Sequence, residues 1–271
     1  MFVTPYYRTA AAPMMSQIVP IPPTLRIFVC MNTSAQALSD KICLVTGGTR
    51  GIGRAIATML LQEGALVAIC GRNQNAVDEA VEALSAGNPG KVKGKAADVR
   101  KHEEVAELFR FIDAEFGGLD VLVNNAGVGV FRSVSELSIE DWSYTIETNL
   151  SGVFHCCREA LSRFRTRGGG QIVTISSLAG KNAFAGGAAY NASKFALTGF
   201  SEALMLDERN QNVRVSYIMP GSVATGFGGA RGDDSWKIAP QDIADVVRVT
   251  LAMPARTLIS RVEVRPSKPK R

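Results

Sequence analysis

From Lys41 onward the chain alternates short, nearly continuous apolar runs with longer stretches whose apolar residues recur every three or four positions. The runs predict strands and the longer stretches predict amphipathic helices. Ile42–Thr46 is the first strand; in Ile52–Glu63 the residues Ile52, Ile56, Met59 and Leu60 share one helical face. A strand at Leu66–Cys70, a helix at Asn75–Leu84, a strand at Val92–Ala97 and a helix at His102–Phe116 follow. Val121–Asn124 is the next strand and Trp142–Arg165 a long helix; Gln171–Ser176 is a strand and Ala189–Glu208 a second long helix. Val213–Ile218, Ile243–Leu251 and Ile259–Val264 close the pattern as strand, helix and strand. Strands that are apolar at nearly every position are buried on both faces. The expected fold is therefore α/β: one doubly wound sheet of about seven parallel strands, helices on both faces, in a single domain over residues 39–271. In such sheets ligands bind beyond the carboxyl ends of the strands.

Residues 1–38 break the pattern. The first acidic residue is Asp40, and Pro5, Pro13, Pro20, Pro22 and Pro23 interrupt any periodicity. This composition predicts a poorly ordered N-terminal extension. Its lack of acids, with Arg8 and Arg26, fits a transit peptide; a start assigned too early, with Met31 as the true first residue, fits as well.

Charge adds little. The net charge is +5 and the basic residues are scattered, so no nucleic-acid partner is expected. No apolar run reaches the roughly 18 residues that span a bilayer, so no membrane partner is expected. The cysteines are Cys30, Cys43, Cys70, Cys156 and Cys157, without a C-x-x-C pair, and the histidines are His102 and His155. That set predicts no metal site and fits reduced, buried thiols in a cytoplasmic protein.

The first strand runs directly into Thr46-Gly47-Gly48-Thr49-Arg50-Gly51-Ile52-Gly53, and a helix follows. Glycines permit a tight turn and close approach of backbone to a pyrophosphate, and the helix N-terminus offers free N–H groups to the anion. The spacing Gly47-x-x-x-Gly51-x-Gly53 resembles the cofactor turn of the short-chain dehydrogenase/reductase family. Asn124-Asn125-Ala126-Gly127 matches that family's N-N-A-G turn. Asp98, with Val99 beside it, resembles the family residue near the adenine. Pro220-Gly221-Ser222-Val223-Ala224-Thr225 resembles the segment that holds the nicotinamide carboxamide, with Thr225 supplying a hydroxyl and Val223 a backbone group. The resemblance covers residues 40 to 265 and implies a Rossmann-type oxidoreductase. Its nicotinamide cofactor would be held by Gly47, Thr49, Arg50, Gly51, Ile52, Gly53, Arg72, Asp98, Val99, Asn125, Ala126, Gly127, Tyr190, Lys194, Pro220, Gly221, Val223 and Thr225.

The residues themselves choose between the two nicotinamide cofactors. An acidic residue at the end of strand 2 binds the ribose 2′-OH of NAD. Here strand 2 ends Cys70-Gly71-Arg72-Asn73, with an arginine and no carboxylate, and Arg50 sits inside the glycine-rich turn. A guanidinium suits a phosphate, so the expected cofactor is NADP(H).

Tyr190 and Lys194 are four apart on a helix and point the same way. Ser177 follows strand 5 and can face them across the crevice. Reducing a carbonyl requires hydride at carbon and a proton at oxygen. A phenol can give that proton, but its ordinary pKa is about 10. Lowering it to about 7 takes roughly 4 kcal/mol, which a cation about 4 Å away supplies at an effective dielectric of 20. Lys194 and the oxidised nicotinamide are the expected cations. In the resembled family this is the Ser–Tyr–Lys site, and Lys194 also binds the nicotinamide ribose. A fourth member, Asn149, would hold a water linking Lys194 to solvent. Ser176 is the rival for the serine role.

The substrate is less legible than the chemistry. Only about a dozen residues, Gly226 to Ala239, separate the nicotinamide turn from the last helix, and Gly226, Gly228, Gly229 and Gly232 among them predict a mobile flap. The ending Ile259-Ser260-Arg261-Val262-Glu263-Val264-Arg265-Pro266 resembles family members acting on short hydroxy acids, ketones or aldehydes. The expected substrate is a small-molecule carbonyl or secondary alcohol. A 3-oxoacyl-[acyl-carrier-protein] reductase and a non-catalytic NADP(H)-sensing scaffold are the alternatives. The two long helices carry apolar residues on more than one face, and family members pair such helices between subunits, so a homodimer or homotetramer is expected.

Overall fold

The structure, a computed structural model, describes residues 38–227 and 233–269. The expected extension, Cys30 and Met31 lie outside the described residues, as do Gly228, Gly229 and Gly232 of the expected flap. Leu38 is the one residue of that extension that is described, and it is buried in the core.

Seven parallel strands form one sheet in the order β3-β2-β1-β4-β5-β6-β7. They are β1 Ile42–Thr46, β2 Leu66–Gly71, β3 Val92–Ala96, β4 Val121–Asn124, β5 Gly170–Ile175, β6 Val213–Pro220 and β7 Arg261–Val264. The helices are α1 Gly51–Gln62, α2 Gln74–Ser85, α3 His102–Phe116, α4 Ile139–Ile146, α5 Gly152–Arg167, α6 Ala188–Glu208 and α7 Pro240–Ala252. The expected Rossmann-type fold is thus observed. Strand order runs outward from β1 to β3, then reverses by placing β4 on the other side of β1. At such a reversal the connections leave in opposite directions and a crevice opens at the strands' carboxyl ends.

The alternation of side chains along each strand builds two cores. Cys43 and Val45 of β1 face Ile56 and Leu60 of α1 and Val247 of α7. Ile42 and Leu44 face the other way, toward Leu108, Phe109 and Ile112 of α3 and Phe164 of α5. Successive residues of a strand point to opposite faces, so the runs read as continuous apolar sequence because both faces are covered.

The element ends differ from the expected ones in instructive ways. Helix α7 begins three residues before Ile243 because Pro240 opens it and the Asp242 carboxylate accepts a hydrogen bond from the Ala239 N–H (2.9 Å). Strand β6 extends through Pro220 because Met219 and Pro220 pair with Glu263 and Val264 of β7. The helix expected as one piece at Trp142–Arg165 contains a π turn, Glu147–Ser151, between α4 and α5. Such turns carry one extra residue and recur at functional sites.

The Phe164 ring is fully buried and packs on Gly170, where a Cβ would lie 2.2 Å from its Cδ1. Glycine is therefore required there to let the ring reach the sheet. Phe164→Ala is expected to lower stability by about 3–5 kcal/mol, read from urea denaturation midpoints.

Candidate active site

The carboxyl end of β1 is locked to that of β4 by reciprocal hydrogen bonds. The Thr46 hydroxyl accepts the backbone N–H groups of Asn125 and Ala126 (both 3.0 Å). The Asn125 side-chain amide donates to the Thr46 and Gly47 carbonyls (2.9 and 3.1 Å). Gly47 and Gly51 hold φ of +64° and +56°, which a side chain would strain. A Cβ on Gly53 would lie 2.3 Å from the Gly47 carbonyl oxygen. The turn therefore presents bare backbone and the α1 N-terminus to the crevice, with no acidic residue in the first helical turn. An anion such as a pyrophosphate fits that surface.

The cleft above this edge has a volume of about 950 Å³, the upper end of the range for small-molecule sites. The expected cofactor residues Gly47, Thr49, Arg50, Gly51, Ile52, Arg72, Asp98, Val99, Asn125, Ala126, Gly127, Pro220, Gly221, Val223 and Thr225 line it, together with Ser177, Tyr190 and Lys194. Gly53 does not line it and acts by letting α1 approach the turn. Arg72 does not stand alone: it donates to the Tyr144 hydroxyl (2.6 Å), and the Arg72 and Arg100 guanidinium carbons lie 5.5 and 5.0 Å from the Tyr144 ring centroid. Asp98 accepts hydrogen bonds from the Arg100 backbone and guanidinium, and that pairing holds its carboxyl below the usual range. The Arg50 carbonyl accepts from the Arg54 N–H (3.2 Å), and its guanidinium makes no hydrogen bond or ion pair with another described residue.

Ser176 and Ser177 follow the end of β5. The Ser177 hydroxyl accepts from the Ala179 N–H (3.1 Å), and it is the side chain whose polar contact lowers the Tyr190 pKa. The Ser176 hydroxyl is buried without a hydrogen-bond partner among the described residues. Of the two rivals, only Ser177 engages the phenol. Lys194 is 6% exposed; its ammonium donates to the Ile175 carbonyl (3.2 Å) and lies 5.7 Å from the Tyr190 ring centroid. Asn149, in the π turn, is buried. Its side-chain oxygen accepts from the Val128 N–H (2.8 Å), and its amide donates to the Val128 carbonyl and the Ser193 hydroxyl (2.9 and 3.0 Å). In the structure it therefore clamps the loop after β4 onto α6.

The acidity expected of Tyr190 is not what the protein alone produces. Burial raises its pKa above the usual value, and the Ser177 hydrogen bond pulls it only partly back. Burial also lowers Lys194 to about 8. Burial disfavours the charged form of both groups, so the ammonium does not by itself acidify the phenol.

Sequence reasoning missed Tyr144, Arg100 and the rings Phe131, Phe184 and Phe227. Tyr144 looked like one more residue of an amphipathic helix, and its cation contacts arise across the sheet edge. The four described cysteines are buried and unpaired, and burial raises Cys70 and Cys157 to about 12. Among the described residues no group of His, Cys, Asp and Glu is placed to hold a metal, and no helix is long and apolar enough to cross a membrane.

A parallel sheet with a glycine-lined turn at its reversal point and a serine, a tyrosine and a lysine in one cleft defines a Rossmann-type oxidoreductase. The short chain dehydrogenase family model matches residues 41–236, and the chain belongs to that family. An uncharacterized oxidoreductase of Staphylococcus aureus (strain MW2) is 34% identical over 230 residues, 84% of this chain and 98% of that protein. A 3beta-hydroxysteroid dehydrogenase of Mediterraneibacter gnavus is 41% identical over 187 residues, 69% of this chain and 67% of that protein. An alcohol dehydrogenase from the archaeon Thermococcus sibiricus, complexed with 5-hydroxy-NADP, superposes with TM-score 0.79 at 29% identity, covering 86% of this chain and 100% of that one. A metagenomic short-chain oxidoreductase in complex with NADP superposes with TM-score 0.76 at 35% identity, with the same coverage.

A lysine with a depressed folded pKa binds fewer protons folded than unfolded, so its destabilising effect is complete below about pH 8 and fades as pH rises toward 10.5. The full effect is about 3 kcal/mol, taking 1.36 kcal/mol per unit. The stability difference between Lys194→Met and the wild-type protein, both cofactor-free, should therefore favour the variant most at pH 7. It should shrink by more than half by pH 10, read from denaturant midpoints at each pH. A difference that stays constant with pH would show that Lys194 is not held against its charge.

Proposed function

We propose that residues 39–271 form an NADP(H)-dependent oxidoreductase domain that interconverts a carbonyl and a secondary alcohol, with Tyr190 as general acid and base. The observation that carries this reading is the convergence of Ser177, Tyr190 and Lys194 on the cleft that also contains the Thr46–Gly53 turn. The absence of a carboxylate directly after β2, with Arg72 in its place and Arg50 in the turn after β1 lining the same cleft, supports the phosphorylated cofactor, because a guanidinium attracts the 2′-phosphate. The two NADP-bound relatives point the same way.

When bound, the cofactor supplies or takes the hydride at the substrate carbon. Ser177 holds the substrate oxygen by hydrogen bonding, as an oxyanion-type donor does. Tyr190 gives its hydroxyl proton to that oxygen in reduction and receives it in oxidation. Its raised pKa keeps the phenol in the acid form at neutral pH, which suits the reductive direction. Lys194, fixed to the Ile175 carbonyl, keeps one end of the site cationic below about pH 8. Asn149 holds the Val128 backbone in place beneath the substrate end.

A homodimer or homotetramer is part of the same reading. Trp142 of α4, Phe154 of α5 and Phe195 and Leu206 of α6 are exposed, and apolar rows on paired helices bury well against a second copy.

Tyr190→Phe should lower turnover of a carbonyl substrate with NADPH by about 10²–10⁴-fold while leaving NADPH binding intact in a fluorescence titration. Turnover that survives this change rejects the mechanism. Arg72→Ala should weaken NADPH roughly ten- to a hundredfold and spare NADH, since one charged hydrogen bond to the 2′-phosphate is lost. An equal loss for both cofactors would assign Arg72 a structural role instead.

A further inference from the structure

We propose that the substrate end of the cleft is an aromatic trap for neutral, ring-bearing ketones and aldehydes, which it takes in preference to short aliphatic, carboxylate-bearing or acyl-thioester carbonyls. This rests on the oxidoreductase reading above and names the substrate class of that site.

Three phenylalanines from three separate segments meet around the catalytic phenol. Phe131 follows the turn after β4, Phe184 precedes α6, and Phe227 follows Thr225. Their ring centroids lie 5.5, 6.4 and 5.9 Å from that of Tyr190, and Phe131 and Phe184 lie 5.8 Å apart. All three are among the exposed large apolar side chains, at 37–45% exposure. Exposed apolar surface gathered in one concave place marks a binding surface, whereas scattered exposed residues do not. The interplanar angles run from 50 to 75°, so the rings are tilted walls instead of a stack closed on itself, and ring edges and faces both stay available to an aromatic or alicyclic guest.

The backbone is shaped to seat these rings. A Cβ on Gly129 would lie 2.7 Å from Phe227 and 2.8 Å from Phe131, and one on Gly187 would lie 2.5 Å from Phe184. A parallel bridge between Arg132 and Gly187 ties the Phe131 segment to the start of α6. Polar recognition is missing in proportion. Val128, Leu178, Ala179 and Asn182 complete this end of the cleft; none carries a charge, and Asn182 alone of the four has a polar side chain. Lys237, a further cation lining the cleft, is paired with Asp234. Among the described residues, the phenylalanines themselves offer a carboxylate no cation, so a charged group laid among them would lose water without a partner there. A planar or cyclic carbonyl would instead lay its ring among the phenylalanines, with its oxygen toward Ser177 and Tyr190. Reduction then adds hydride to the carbonyl carbon and the Tyr190 proton to the oxygen, giving the secondary or primary alcohol.

The test measures NADPH oxidation with acetophenone, cyclohexanone, acetone, acetoacetate and acetoacetyl-CoA. Expected are kcat/KM values for the two ring ketones at least about tenfold above the other three, from the added apolar burial. Phe184→Ala and, separately, Phe131→Ala should cut the acetophenone-to-acetone preference about tenfold, chiefly through KM for acetophenone. Gly129→Ala, which displaces two rings without removing them, should do the same. In a second arm, acetophenone should raise the melting temperature of the cofactor-free protein, and less so that of Phe184→Ala. Turnover of acetone, acetoacetate or acetoacetyl-CoA as efficient as that of acetophenone overturns the trap and leaves the oxidoreductase reading standing. Absence of NADPH oxidation with any carbonyl overturns that reading, and the melting shift alone then decides the trap: an equal shift in wild type and variant rejects it.

Discussion

The site depends on one buried amine. Lys194 is buried in the wall of the cleft, anchored by a hydrogen bond to the last carbonyl of β5. That requirement fixes much else. Helix α6 has to meet the sheet in a register that brings Lys194 to the Ile175 carbonyl, which also places Tyr190 one turn earlier beside Ser177. Gly180 allows this approach, since a Cβ there would lie 2.6 Å from the Lys194 carbonyl oxygen. The cost of desolvating the ammonium falls on the fold, and an acidic partner would remove it. Among the described residues none lines the cleft near Lys194; Asp98, the carboxylate among them that does line it, is already paired with Arg100. A group held near its titration point can pass protons in either direction, which a fully paired lysine cannot do.

The crevice is equally a matter of interlocked backbone. Thr46 and Asn125 bind each other's strands through four hydrogen bonds. The turn after β1 and the turn after β4 therefore behave as one unit, and Thr225 closes on Gly51 from the far side. Rigid turns of this sort let bare N–H groups stay oriented toward an anion in water, where flexible loops would satisfy them internally.

Much of this was legible before any coordinates. Strand and helix periods gave the sheet because both its faces are covered, which writes burial into the sequence at every position. Ser177, Tyr190 and Lys194 were readable because strand ends and a helical i, i+4 spacing place them locally. What was not legible is what depends on distant segments meeting. Arg72 reads as a lone cation, but Tyr144, 72 residues away, receives its hydrogen bond. Phe131, Phe184 and Phe227 each look like ordinary apolar loop residues, and only the shared cleft makes them one surface. The burial that raises the Tyr190 pKa in the cofactor-free protein was illegible for the same reason: charge separation can be counted from sequence, whereas burial follows from the assembled walls.

The π turn that carries Asn149 also works as a phase shifter. One residue adds about 100° of rotation to everything downstream in a helix. Upstream of it, Tyr144 leans toward the sheet edge where Arg72 and Arg100 lie; downstream, Cys156, Cys157, Ala160 and Phe164 form the stripe that seals the sheet. A straight helix could not serve both surfaces with the same sequence. Shortening that turn by a single residue would therefore force a choice between them: either the edge that greets the cofactor or the seal over the strands would swing out of place.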